Sequence, residues 1–322
     1  MANQALINDF KALLGAENVF DSEADRMSYS YDSAVLPAVM PAFVLRPTTT
    51  EHLGLCVKKL YDNGIPMTVR GAGSNLSGGT IPDAGDAVVI LTTGLNRILE
   101  INVNDLYAVV EPGVVTADFA AAVSRKKLFY PPDPGSQAVS TLGGNIAENA
   151  GGLRGLKYGV TKDYLMGIEF FDSTGEIVKS GSRTVKCVTG YNLAGLMTQS
   201  EGTLGVISQA IFKLVPPPKA SKALMAVFAN VQDAAEAVAG IIAAHVVPCT
   251  LEFLDNNTIV RVDDFTKAGL PRDAGAILLI EVDGHPAQVA DDAQAVEKVL
   301  KENRATAVHV PKDADEKFKL WE

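Results

Sequence analysis

Arg70-Gly71-Ala72-Gly73-Ser74-Asn75-Leu76-Ser77-Gly78-Gly79 follows a short apolar run, Met67–Val69, that reads as a buried strand. Two familiar glycine loops can be tested against it, and both fail. A dinucleotide loop of the GxGxxG kind needs a third glycine at position 76 and a helix after it. Leu76 stands there instead, and Gly78-Gly79-Thr80-Ile81-Pro82 breaks any helix. A Walker A loop finds its glycine spacing from Gly73 to Gly78, but Gly79 occupies the place of the lysine that reaches the phosphates. What remains is a strand running into backbone N–H groups that no Cβ obstructs, with Ser74, Asn75 and Ser77 as side-chain donors. Such a run is a nest for a diphosphate. Taken alone, it serves equally well as a glycine-rich surface turn.

Outward along the chain, the stretch acquires company. Tyr130-Pro-Pro-Asp-Pro-Gly-Ser136 is a proline-stiffened segment that delivers a carboxylate and a hydroxyl. Ser140-Thr-Leu-Gly-Gly-Asn-Ile-Ala-Glu-Asn-Ala-Gly-Gly152 follows. Gly143, Gly144, Gly151 and Gly152 permit close backbone approach to a ligand, and Thr141, Asn145 and Asn149 can hydrogen-bond it. A packed core has no use for such a density of small and amide residues. Finally Ser200-Glu-Gly-Thr-Leu-Gly-Val-Ile-Ser208 carries a glycine loop into a strand.

The 322 residues suggest two domains. The seam is Val215-Pro216-Pro217-Pro218-Lys219, where three prolines remove three backbone donors and lock an extended path. Before it, the spacing predicts helices over 4–14, 50–62 and 116–125 and strands over 43–45, 67–69, 88–91, 97–101, 107–110 and 205–214. A hairpin is predicted over 165–179, its strands separated by Ser173-Thr174-Gly175. After it, strands at 224–228, 250–254, 276–282 and 307–310 alternate with helices at 232–244 and 287–301. That makes two βαβ units in tandem, a ferredoxin-like pattern.

Composition excludes several classes. A 47% hydrophobic, 20% charged chain can bury a sizeable core, and a net charge of -10 argues against nucleic acid or an anionic membrane as the main partner. The amino terminus, MANQALINDFKALLG, shows no secretory signal. The longest uncharged apolar stretch, Ala237–Leu251, holds 15 residues where a bilayer span takes about 18, so no transmembrane segment and a cytoplasmic location are expected. Cys56, Cys187 and Cys249 form no CxxC pair, and His52, His245, His285 and His309 form no HxH or HExxH pair. Neither an iron–sulfur site nor a metal site built from local ligands is expected.

In order, RGAGSNLSGG, PPDPGS, TLGGNIAENAGG, KYGVTKDYLMGIEF and SEGTLGVIS resemble the FAD-binding domain of the vanillyl-alcohol-oxidase/PCMH flavoproteins. Among these they are most similar to the FAD subunits of glycolate oxidase and the D-lactate and D-2-hydroxyacid dehydrogenases, over roughly residues 30–310. The resemblance implies an α+β chain: a PCMH-type FAD-binding domain of two subdomains over 1–218, then an incomplete ferredoxin-like α+β substrate (cap) domain over 219–322. It implies that Arg70 through Ser77 cradle the FAD pyrophosphate and that Pro131, Asp133 and Ser136 line the cofactor near the ribityl and flavin. Thr141, Gly144, Asn145, Ala147, Gly151 and Gly152 would wrap the pyrophosphate and ring edge, and Ile207 would contact the adenine side. Relatives that attach the flavin covalently use a histidine in the first loop or a cysteine elsewhere. Ser74 holds that loop position, and no cysteine lies in an attachment motif, so FAD is expected to bind noncovalently.

The implied reaction is oxidation of a small 2-hydroxy acid, glycolate or D-lactate, to the 2-oxo acid by hydride transfer to the flavin. In the family, the substrate-binding arginine and lysine and the histidine/glutamate group lie beyond the second βαβ unit. Here the chain is expected to stop short of them, at Lys319-Leu320-Trp321-Glu322, just as a helix begins, and no catalytic residue is assigned. His309, in the strand pattern Ala307–Val310, reads as a plain strand residue. Arg154, Lys157 and Tyr158 could face the flavin or serve structure equally well. Glu148 stands where a small polar residue is usual and is expected to point away from the pyrophosphate. A second reading is an FAD-binding fragment or accessory module without catalysis of its own. Either way electrons must leave to another acceptor. The resemblance suggests an iron–sulfur or other electron-accepting subunit, a location at the inner face of the membrane through such partners, and room for a homodimer.

Overall fold

The computed structural model describes residues 4–313 together with 316 and 317; the helix start expected at Lys319–Glu322 lies outside these residues. The chain divides into two compact units, one of Met1–Gly152 with Val160–Pro216, the other of Leu153–Gly159 with Pro217–Glu322.

In the first unit, α1 (Gln4–Leu14) places Leu6, Ile7, Phe10 and Leu14 on one buried face. It is followed by β1 (Val19–Phe20), the short α2 (Glu23–Met27) and β2 (Val44–Leu45). The Thr49 hydroxyl accepts from the N–H of His52 and starts α3 (Thr50–Asp62), which buries Leu53, Cys56, Val57 and Leu60. β3 (Met67–Arg70) and β4 (Val88–Leu91) complete a sheet ordered β1-β2-β4-β3, in which β2, β4 and β3 run parallel. Val88, Val89, Ile90 and Leu91 are all buried, as a parallel strand covered on both faces requires.

The second sheet of this unit is antiparallel. It is built from β5 (Ile98–Asn102), β6 (Tyr107–Val110), β7 (Leu165–Phe171), β8 (Ile177–Gly181) and β9 (Val206–Lys213), in the order β5-β6-β9-β7-β8. With it go α4 (Thr116–Arg125), α5 (Leu142–Glu148) and α7 (Leu193–Met197). The intervening single turn α6 (Gly155–Tyr158) is counted with the other unit. The sequence pattern does not announce α5, because two glycines open it. It forms because Thr141 caps it, accepting from the N–H of Gly144, and because Asn149 ends it in the left-handed conformation at φ 51.

The second unit runs β10 (Ala220–Phe228), α8 (Val231–Ala243), β11 (Thr250–Asp255), α9 (Asn256–Thr266), β12 (Ala276–Gly284), α10 (Pro286–Glu302) and β13 (Ala307–His309). The strands pair antiparallel in the order β11-β12-β10-β13. Two βαβ units interleave in this order, as in ferredoxin-like sheets, which gives an α+β fold. Leu224, Phe228, Leu278 and Ile280 meet Ile241 of α8 and Val296 of α10 in one core. The unforeseen α9 is capped by Asp255 and packs Ile259 against Ile277 beside Met225 and Val227. Lys157 and Tyr158 belong here: Lys157 Nζ donates to Asp283 Oδ1 at 2.5 Å and Tyr158 Oη to Asp283 Oδ2 at 2.7 Å. His309, at the end of β13, has its Nε2 3.8 Å from Glu316 Oε2.

Candidate functional site

In the first unit, a cavity of about 270 Å³ adjoins one of about 460 Å³, the two sharing Val69, Gly79, Glu201, Gly202 and Gly205 in their walls. The smaller holds most of the residues expected at the cofactor. It is lined by the loop leaving β3, by α5 and its approach, and by the loop entering β9. Gly73 takes φ 72, which L side chains rarely adopt. A Cβ on Gly71 would come closer than 3.0 Å to Thr141 Oγ1, so only glycine lets the loop lie against α5.

Of the residues expected at the cofactor, Gly71, Ala72, Gly73, Ser74, Asn75, Leu76, Ser136, Thr141, Gly144, Asn145, Ala147 and Ile207 line this cavity. Arg70 does not. It is 6% exposed, donates from Nη1 to the Tyr31 carbonyl at 2.7 Å and to Thr80 Oγ1 at 3.3 Å, and lies over the Tyr29 ring. Burial lowers its pKa, and the Asp32 carboxylate nearby works against that. Its guanidinium braces the loop from behind. Ser77 is not among the lining residues either; its hydroxyl donates to Glu148 Oε1 at 3.4 Å. Pro131, Asp133, Gly151 and Gly152 are not in the wall. Gly152 packs on the Asp133 backbone, where a Cβ would overlap it, so these two segments support each other.

The α5 wall is held by a buried network. Asn145, 2% exposed, donates from Nδ2 to Thr116 Oγ1 at 2.8 Å, and Thr116 lies 2.9 Å from the Ser140 hydroxyl. Glu148, expected to point away from the pyrophosphate, is part of the cavity wall. It ends α5 and accepts the Ser77 hydrogen bond. Burial first, then the neighbouring Glu201 and Asp32 carboxylates, raise its pKa against the opposing pull of the Ser77 hydrogen bond.

Sequence reading missed Thr80, Thr92, Pro112, Ser140, Ser200 and Gly205, all of which line the cavity. Ser200 and Gly205 lie in the SEGTLG segment already singled out. Ser200 is 8% exposed, and its Oγ has no hydrogen-bond partner among the described residues. An orphaned buried hydroxyl in a cavity wall awaits a polar ligand. With it, the glycine-cleared backbone and the amide and hydroxyl lining, the residues fit a diphosphate-bearing dinucleotide. No cysteine, histidine, lysine or arginine stands among the lining residues.

Comparison with known proteins agrees. Residues 41–181 match the family described as FAD binding domain, and 217–322 that of FAD linked oxidases, C-terminal domain. The chain is 46% identical over 308 residues to glycolate oxidase subunit GlcD of Bacillus subtilis, covering 96% of this chain and 65% of that protein. It is 34% identical to a D-lactate dehydrogenase of Anaerostipes hadrus, covering 92% of this chain and 64% of that one. It therefore spans about two thirds of the length of these relatives. The crystal structure of p-cresol methylhydroxylase with substrate bound shares the fold, with TM-score 0.80 at 18% identity over 98% of this chain and 68% of that one. Among the described residues no helix is long and apolar enough to cross a membrane. Two domain matches in sequence order, close relatives along nearly the whole chain and the PCMH fold together make this chain a member of the FAD-linked oxidase family.

Proposed function

We propose that the protein takes part in the FAD-dependent oxidation of a small 2-hydroxy acid, glycolate or D-lactate, to its 2-oxo acid. The observation that carries the cofactor half is the glycine-cleared cavity with the orphaned Ser200 hydroxyl in its wall. The names of the similar proteins support the substrate half. In this reading residues 1–218 bind FAD and 219–322 form the N-terminal part of the substrate domain. When bound, FAD supplies the electron sink for hydride removal.

The chain's own residues bind and shield. The loop from Gly71 to Ser77 offers backbone N–H groups to the diphosphate, and Asn145, Thr141 and Ser136 offer hydrogen bonds along the ligand. Pro131, Asp133, Gly151 and Gly152 keep the flanking segments in place. Ile207 gives an apolar part of the wall. The lining holds no cysteine or histidine, which supports noncovalent attachment. That same lining holds no cation for a substrate carboxylate and no imidazole base, which favours a second reading for this span: a flavin-holding module whose substrate groups and electron acceptor are supplied from elsewhere. An iron–sulfur or other electron-accepting subunit would then complete the path.

One experiment separates the readings. The purified chain should show a flavin spectrum, and glycolate or D-lactate is then added without oxygen. Bleaching supports oxidation within this chain, and a yellow protein that stays yellow supports the module. A colourless protein that takes up no FAD overturns both.

A further inference from the structure

Behind the glycine loop runs Tyr31-Asp32-Ser33-Ala34-Val35-Leu36, a segment with no motif of its own. It is tied to the loop at four places. Arg70 donates to the Tyr31 carbonyl at 2.7 Å. The N–H and hydroxyl of Ser33 both donate to the Gly73 carbonyl, at 3.1 and 3.3 Å. Leu36 packs so closely on Gly78 that a Cβ there would overlap it. At the centre is Asp32, 8% exposed and outside the cavity wall. Its Oδ1 accepts from the N–H of Ala34 at 2.8 Å. Its Oδ2 accepts from Asn75 Nδ2 at 2.7 Å and lies 3.2 Å from Thr80 Oγ1, which is itself 3.1 Å from Asn75 Oδ1.

We infer that Asp32 is the positioning residue of the diphosphate loop: it locks Asn75 and Thr80 from behind and balances Arg70, so that the loop's N–H groups stay turned to the cavity. The inference rests on the reading of this cavity as the FAD site. The geometry has a chemical consequence. A buried guanidinium whose Nη1 already donates to Tyr31 and Thr80, with the Asp32 charge nearby, is held behind the loop rather than offered to a phosphate. The anion is therefore held by the backbone N–H groups, and these bind tightly only when the loop is preorganised. A carboxylate is the one group of this size that accepts on both oxygens. An amide in its place would set an N–H against either Ala34 or Asn75 and Thr80, and would leave Arg70 without its counter-charge.

The test is Asp32→Asn in the full chain, with Asp32→Ser as a second, smaller acceptor, each titrated with FAD, ADP and adenosine alongside thermal unfolding of the apoprotein. Both variants should bind FAD and ADP about tenfold or more weakly, while adenosine, which lacks the diphosphate, changes less than about twofold. A residue that merely holds the fold together would move all three ligands alike, and that outcome overturns the proposal. So does unchanged FAD and ADP affinity in a folded variant, or unfolding of both variants at room temperature. A wild-type chain that binds adenosine and ADP but no FAD overturns the reading of the cavity and leaves a diphosphate loop for Asp32 to act on. A wild type that does not distinguish ADP from adenosine overturns the loop's role.

Discussion

Replacing Gly71 by alanine isolates one contact on which the cavity depends. Gly71 is not among the glycines in the left-handed region, so alanine brings no backbone strain. The new methyl would lie closer than 3.0 Å to Thr141 Oγ1 but 3.7 Å from Thr141 Cβ and 3.8 Å from its Cγ2, both ordinary contacts. The whole conflict is therefore with one hydroxyl. That hydroxyl caps α5 by accepting from the N–H of Gly144 at 3.3 Å, and Thr141 is 3% exposed, so it has little room to turn. Losing the cap costs about 1 kcal/mol, and an off-rotamer threonine costs about 0.5–1.5 kcal/mol. Fewer unfolded conformations for alanine return about 0.5 kcal/mol. The net is a destabilisation of about 1–2 kcal/mol, roughly 2–8 °C in Tm for a unit of this size. The decisive measurement is a double-mutant cycle by urea unfolding of the apoprotein. Thr141→Ala alone costs about 1 kcal/mol through the cap, but in that background Gly71→Ala meets only a Cβ and should be neutral or slightly stabilising. A coupling below about 0.5 kcal/mol would refute the reasoning, because the methyl would then be acting somewhere other than on the hydroxyl.

Two further outcomes follow from charged groups. Glu148, with its pKa raised by burial and by Glu201 and Asp32, binds its proton more tightly folded than unfolded. Stability is thus highest below its unfolded pKa of about 4.3 and declines as pH climbs through the raised value. Glu148→Gln should flatten that decline in urea midpoints between pH 4 and 8, and should flatten the matching loss of FAD affinity, since a bound diphosphate repels the ionised carboxylate further. An unaltered slope in both measurements would sink the assignment. In the second unit, Asp283 is 5% exposed and carries both Lys157 and Tyr158. Asp283→Ala should cost about 1–2 kcal/mol, below the range for a fully buried pair because the Lys157 side chain keeps about a third of its exposure. Adding Lys157→Met should recover part of this in denaturant unfolding, and strictly additive costs would show that the pair does not interact.

What was legible in the sequence was what short range determines. The strand into Arg70–Gly79, the amphipathic faces of α1, α3, α8 and α10, and the alternation behind β10 to β13 are patterns of neighbouring residues, and the structure places elements there. Besides the four- and five-residue turns α2, α6 and α7, two longer helices were missed, each for local reasons of its own. In α5 the glycines carried more weight than the Thr141 cap, and α9 begins on Asn256-Asn257-Thr258, residues that favour turns until Asp255 caps them. The wall residues in SEGTLG were within sight, but nothing in one sequence says which hydroxyl of a loop ends up buried without a partner.

The deeper gap is between recognising a ligand loop and knowing what aims it. Arg70 opens the most telling stretch of the chain, and a cation beside a diphosphate nest invites the inference that it binds the phosphate. The structure gives that charge a partner 38 positions earlier in sequence, and Asn75 a carboxylate 43 positions away. Glu148 shows the same in reverse. Electrostatics alone would send a carboxylate away from a diphosphate, yet the phase of a capped helix and a serine 71 residues back put it in the wall, and its pKa rises instead. In both cases the local sequence names the chemistry available, while contacts between distant segments decide which group keeps its charge and faces the ligand. A loop of this kind is therefore best tested through the residues behind it, because those in front are mostly backbone that no substitution can remove.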